Sequence, residues 1–252
     1  MSSTADSIPT PTRSSALLAL DTATERMSIA LCVGDSEWMH EAAGGGGASA
    51  ALLPAILALF ARARITVHEL DAIAFGRGPG AFTGVRTACS VVQGLAFGAN
   101  KAVLPLDTLL AVAEDAREQC AFTDVWVAMD ARMDEIYAAH YAHADARWHM
   151  LSAPALYTID RLNASWQEQP PLAVAGSAVP AFGERLRAGT ALAAPQAWPS
   201  AKALLRLARA AWAQGQAVDV AQALPLYLRD KVALTTIERE ALKSAKAADG
   251  RP

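Results

Sequence analysis

The segment GRGPGAFTGVR at positions 76–86 holds the chain's most recognisable chemistry. Gly78, Gly80 and Gly84 permit positive φ or close backbone approach, and they fall where an apolar run gives way to a helical pattern. A helix starting there offers free N–H groups and the positive end of its dipole. Thr83 can cap it, and Arg77 and Arg86 add charge, so an anion site is one reading. The other is a tight turn that lets an apolar helix pack closely on a sheet. The segment has neither the GK[ST] of a P-loop nor the distant acid of a dinucleotide fingerprint.

A second candidate is the run Asp21, Thr22, Ala23, Thr24 at the end of the first apolar stretch. A carboxylate and two hydroxyls at a strand end can hold a metal-bound phosphate. They can also satisfy the backbone groups of a turn, and four residues alone favour that plainer account. The rest of the catalytic inventory is thin. Asp130, Asp134 and Glu135 gather at an expected hairpin, where a solvated turn explains them better than paired catalytic carboxylates. His140 and His143 are three apart on an expected strand and so point to opposite faces. No HExxH, HxxxH or GxSxG occurs, and no Cys adjoins a His, so no catalytic residue and no metal ligand is assigned.

These candidates need a scaffold. At 252 residues with 53% hydrophobic and 19% charged residues the chain can bury one large or two small cores. A net charge of −3 gives no global attraction to nucleic acid, so any RNA must be reached through a local patch or a partner. Cys32, Cys89 and Cys120 are odd in number and far apart, as reduced thiols would be. The Ser/Thr/Pro-rich start has no apolar core, and no apolar stretch reaches the length of a membrane span, so the cytoplasm is expected.

Strands are expected at 16–20, 27–33 and 37–40, with a hairpin at Gly34-Asp35. A helix at 50–64 carries Leu52, Leu53, Ile56, Leu57, Leu59 and Phe60 on a stripe wide enough for core or interface. Pro54 must sit near its first turn or kink it. After a strand at 71–75, a helix at 84–98 is apolar nearly all round, broken only by Arg86 and Gln93. It must therefore be covered on both sides, and Gly94 and Gly98 would let another backbone come close. A strand at 103–106 leads to Asp107 as N-cap of a helix at 108–117. Strands at 125–130, 135–141 and 172–175, a helix ending near 187 and a helix at 201–214 complete a two-lobed α/β plan. The divisions are a disordered lead-in 1–14, a first lobe 15–107, a smaller lobe 108–218, a segment 219–238 returning to the first lobe, and a flexible tail 239–252.

Four segments in this order, LLALDTATERMSIAL, DAIAFGRGPGAFTGVRTACSVVQGLAFGAN, DARMDEIYAAHY and PLYLRDKVA, resemble the bacterial TsaB (YeaZ) family of tRNA threonylcarbamoyladenosine biosynthesis proteins. The resemblance runs from about residue 16 to 233. It implies an actin-like (ASKHA, RNase H-like) α/β fold with a mixed sheet flanked by helices in each lobe. It implies a non-catalytic scaffold for N6-threonylcarbamoyladenosine formation in tRNA, binding a TsaD-like transferase and a TsaE-like ATPase. No cofactor of its own follows, with ATP only in the assembled complex, tRNA met indirectly, no membrane contact, and a homodimer when alone. The implied interface is Leu53, Ile56, Leu57 and Phe60 on one helix and Arg86, Cys89, Val92, Gln93 and Leu95 on the next. One departure is the stretch GGGGASAALLP, where many relatives have a His and polar residues ahead of the first helix. The competing expectation is an actin-like ATPase or phosphotransferase using Asp21, Thr22 and the turn at 78–84. A protease finds no nucleophile to support it.

Overall fold

The computed structural model describes residues 15–229; the expected lead-in and tail lie outside them. In chain order the first lobe contains β1 (Ala16–Asp21), β2 (Arg26–Val33), β3 (Ser36–Ala43), α1 (Ala48–Ala63), β4 (Ala72–Gly76), α2 (Phe82–Ala99) and β5 (Ala102–Leu106). β1 is apolar up to its last residue and buried throughout, as a central strand covered on both faces must be. It pairs antiparallel with β2 and parallel with β4, giving the order β3-β2-β1-β4-β5. The parallel pairs require crossovers, and α1 and α2 supply them. Both pack on one face of the sheet, where Leu52, Ile56, Leu59 and Phe60 of α1 and Ala88, Cys89 and Val92 of α2 share a core with Leu18, Leu20 and Phe75.

The second lobe follows as α3 (Thr108–Cys120), β6 (Asp124–Asp130), β7 (Glu135–Ala144), β8 (Arg147–Thr158), α4 (Ile159–Glu168), β9 (Ala173–Ala175), α5 (Ala178–Phe182) and β10 (Leu192–Ala194). Its sheet order, β10-β9-β6-β7-β8, repeats the first: an antiparallel meander, then two parallel strands beside its first strand. The two lobes are therefore one plan used twice. The final helix, α6 (Ala201–Ala213), falls within the second lobe by the sequence division, yet it packs on β1, β2, β4 and β5. Its Leu204, Leu205 and Ala208 cluster with Leu17, Ala19 and Leu104 on the other face of the first sheet. It also packs on α3, so the helices between the sheets join the lobes.

Several local expectations change. β8, α4 and β10 were not expected. β8 is an edge strand carrying Pro154, which an edge tolerates and a sequence pattern reads as a break. The helix expected to end near 187 is only α5 followed by a 3-10 turn at Gly183–Arg185. Pro54 lies beyond the first turn of α1. With the 3-10 turn before it, the segment Gly45–Ala63 is 19 residues long and apolar enough, by length and composition, to cross a membrane, contrary to the expectation above. Its inward residues are spent on the core of the first lobe.

Beyond α6 the chain returns to the first sheet as a strap. Val218 pairs with Val103, and Ala223 enters the first core without exposure. Leu226 N donates to Arg77 O, and Arg229 reaches Ala131 O and the Glu135 carboxylate in the second lobe.

Candidate functional site

The two turns singled out in the sequence meet each other. Thr22 Oγ1 donates to Gly84 O at 2.7 Å, and Ala81 N donates to Ala23 O at 2.7 Å. A Cβ at Gly84 would stand 1.8 Å from Thr22 O, and one at Gly80 would stand 2.5 Å from Ala23 O. The glycines thus serve close packing of α2 on the β1 turn. Gly78, at φ +103°, needs its glycine for backbone geometry as well. Thr83 does not cap α2: the helix starts at Phe82, its N-cap residue is Ala81, and Thr83 is exposed in the first turn. Asp107 is at the N-cap position of α3, but its carboxylate takes Arg77 Nε at 2.7 Å instead of capping.

Asp21 lies under this junction, 1% exposed. It accepts from Ala23 N at 2.7 Å and from Thr108 Oγ1 at 3.1 Å, and a Cβ on Gly76 would collide with it at 1.7 Å. Burial pushes its carboxyl up to about 7, against the two hydrogen bonds that pull it down. The sign of the consequence follows from linkage. Between the ordinary carboxylate range and about pH 7 the folded chain keeps a proton that the unfolded chain has released, so stability falls as pH rises through that window. Urea midpoints at pH 5 and pH 8 should show wild type losing on the order of 2–4 kcal/mol more than Asp21→Asn over this interval. Asp115, whose carboxyl burial also raises, is common to both proteins and drops out of the difference. Equal slopes would mean that Asp21 is ionised in the fold.

Between the lobes lies a cleft of about 560 Å³, bordered by Thr24, Glu25 and Arg26 on one side and Asp130, Arg132 and Trp198 on the other. Glu25 and Arg132 pair across it at 2.7 Å, and the Arg26 guanidinium sits 4.8 Å from the Trp198 ring centroid. Of the six residues proposed as an anion or nucleotide turn, only Gly80 borders this cleft; Asp21, Thr22, Gly78, Thr83 and Gly84 do not. Asp134 is bound by Arg185 and Glu135 by Arg229, so both carboxylates have ion-pair partners. Among the described residues no three His, Cys, Asp or Glu side chains converge as a metal site requires.

The helices expected to meet a partner divide between core and surface. Leu53 and Leu57 are 41% and 54% exposed, one turn apart on α1. Ile56, Phe60, Cys89 and Val92 are buried in the first core and present little or no surface to a partner. Leu95 is half-buried, and Gln93 is occupied: its Nε2 donates to Ala223 O at 2.8 Å, holding the strap. Arg86 is exposed. The sequence reading missed Phe97, which is 81% exposed. Three turns beyond Arg86, it lies on the same helical face, and that phase was a usable signal. Around Gly94 and Gly98 there is nothing within 4 Å of an added Cβ, so the ridge of α2 is open. Two further exposed residues, Leu224 and Tyr227, belong to the strap and carried no periodicity that could have revealed them.

Two like sheets, each flanked by helices and facing across a cleft, define a two-lobed α/β protein of the actin-like, RNase H-like fold. Comparison with known proteins narrows this class. The family model of TsaD, tRNA N6-adenosine threonylcarbamoyltransferase, matches residues 47–237. The tRNA threonylcarbamoyladenosine biosynthesis protein TsaB of Haemophilus influenzae is 33% identical over 227 residues, covering 86% of this chain and 94% of its own. That of Escherichia coli is 32% identical over 232 residues, covering 86% and 96%. Among solved structures, YeaZ from Pseudomonas aeruginosa is 37% identical with a TM-score of 0.77, covering 85% of this chain and all of its own. An uncharacterized protein with similarity to peptidase YeaZ, from the same organism, is 38% identical at a TM-score of 0.79 with the same coverage. The chain belongs to the TsaB (YeaZ) family, and membership implies a role in threonylcarbamoyladenosine biosynthesis in tRNA.

Proposed function

We propose that the chain is a cytoplasmic, non-catalytic scaffold subunit for N6-threonylcarbamoyladenosine formation. It docks a TsaD-like transferase on the outer ridge of α1 and α2, with a TsaE-like ATPase in the same assembly and tRNA reached through the complex. Alone, it pairs with a second copy through the same ridge. The observation carrying this reading is exposed apolar side chains on two helices that pack against each other, Leu53 and Leu57 on α1 and Phe97 on α2, with the backbone bare at Gly94 and Gly98. Contiguous exposed apolar surface is uncommon on a protein that acts by itself. The transferase family model begins to match at residue 47, at the start of α1, so a partner of that family shares this chain's plan. Such a partner offers a corresponding helix pair for a pseudo-two-fold contact. The competing phosphotransferase gains nothing from Asp21 and Thr22, which are packed against Gly76 and Gly84.

The test is calorimetry of the purified chain with Mg-ATP and, separately, with its cognate transferase, beside a reconstituted tRNA modification reaction. We expect saturable transferase binding, no ATP turnover by the chain alone, and loss of modification when the chain is omitted. ATP turnover by the isolated chain would overturn the scaffold reading.

A further inference from the structure

Arg86 is an exposed cation for which the described residues provide no carboxylate partner. It is held in place all the same. Its Nε donates to the Tyr227 hydroxyl at 2.7 Å, and its guanidinium lies 3.6 Å from the Phe82 ring centroid and 5.5 Å from that of Tyr227. The two rings are 5.7 Å apart, so helix and strap together form an aromatic clamp around one arginine. Phe82 and Tyr227 are themselves 36% and 47% exposed, and Leu224 nearby on the strap is 60% exposed. They lie on the side of α2 away from α1, because α1 packs on β2 and β3 while the strap at Val220–Gln222 packs on α2 and on β5, the opposite edge of the sheet.

We propose that Arg86 is the polar anchor of the docking ridge and takes a carboxylate side chain from the transferase partner, with Leu224 of the strap as part of the same contact. This rests on the docking reading above and adds to it the chemistry of the partner's matching residue. A guanidinium already oriented by ring faces and one hydrogen bond loses little freedom on binding, and its planar fork suits a carboxylate. Arginine and tyrosine are among the residue types that dominate binding energy at interfaces. RNA phosphate is the weaker candidate occupant. Backbone recognition takes several cations, whereas the neighbouring Arg77 is paired with Asp107 and the chain's net charge is −3.

The experiment titrates the purified transferase into wild type, Arg86→Gln, Arg86→Lys and Leu57→Asp at low and high salt, with the unfolding midpoint of each variant measured alongside. We expect Arg86→Gln to bind about 30-fold more weakly, Arg86→Lys to fall between it and wild type, and the gap to narrow with salt. If Arg86→Gln destabilises the strap, the lysine variant, which keeps the charge and loses the fork, still reports the contact. Undiminished binding by Arg86→Gln and Arg86→Lys while Leu57→Asp fails to bind removes the anchor and leaves the docking ridge intact. Undiminished binding by Leu57→Asp as well removes the ridge itself. If wild type binds tRNA, and Arg86→Gln loses tRNA but not the transferase, the clamp faces RNA and the proposal falls.

Discussion

Replacing Gly84 with alanine is expected to cost roughly 3–5 kcal/mol, a large share of the stability of an ordinary domain. The added methyl would stand 1.8 Å from Thr22 O and 2.9 Å from its carbonyl carbon. Both are backbone atoms in a buried turn, and neither can rotate aside. Relief must come from moving α2 off the β1 turn, which breaks the 2.7 Å Thr22–Gly84 hydrogen bond and opens the packing over Asp21. Gly94→Ala, on the same helix, is the opposite case. Nothing lies within 4 Å of its Cβ position, and alanine is the better helix former, so the variant should gain roughly 0.5–1 kcal/mol. Urea denaturation of the two variants decides the matter. A Gly84→Ala protein that unfolds with wild type would show that the turn and the helix do not make this close approach.

Leu57→Asp should weaken transferase binding by roughly 30- to 1,000-fold while leaving the chain's own stability within about 0.5 kcal/mol of wild type. Leu57 is 54% exposed, so a carboxylate there stays hydrated in the free chain and is desolvated only when a partner covers it. Phe97→Asp should behave in the same way. Val92→Asp should not: the residue has no exposure and sits in the first core, so its charge would act on folding before binding. Calorimetric affinity paired with thermal unfolding separates the two behaviours. Full-strength binding by both surface variants would move the docking surface elsewhere on the chain.

The contrast between Leu57 and Val92 shows how far periodicity reaches. Apolar residues all round α2 required cover on both sides, and that inference needed no coordinates. Which residue met the chain's own sheet and which met solvent was beyond it, because helix phase had no reference until β4, β5 and the strap were placed. Ile56, Phe60, Cys89 and Val92 were therefore credited to an interface and are core. Phe97 passed as one more apolar residue and is the most exposed of the large apolar side chains among the described residues. The edge strands β8 and β10 escaped for a different reason. Their alternation is weak because no residue of β8 and only Ala194 of β10 is fully buried, and Pro154 interrupts the pattern of β8.

By itself the sequence determined the class of fold, the order of the main strands and helices, and the Gly-rich turn as the place where β4 passes into α2. These are local matters of hydrophobic period, turn chemistry and the small size of glycine, and a family resemblance carried in several short segments reinforced them. Only the tertiary structure decided what the Gly-rich turn faces. It faces the backbone of Thr22 and Ala23, because glycines far apart in sequence from the first strand let two turns come into contact. Only the tertiary structure brought Tyr227 onto Phe82 and Arg86, across most of the length of the chain. Contacts of that separation leave no periodic trace, since they depend on where the sheet ends and the strap returns.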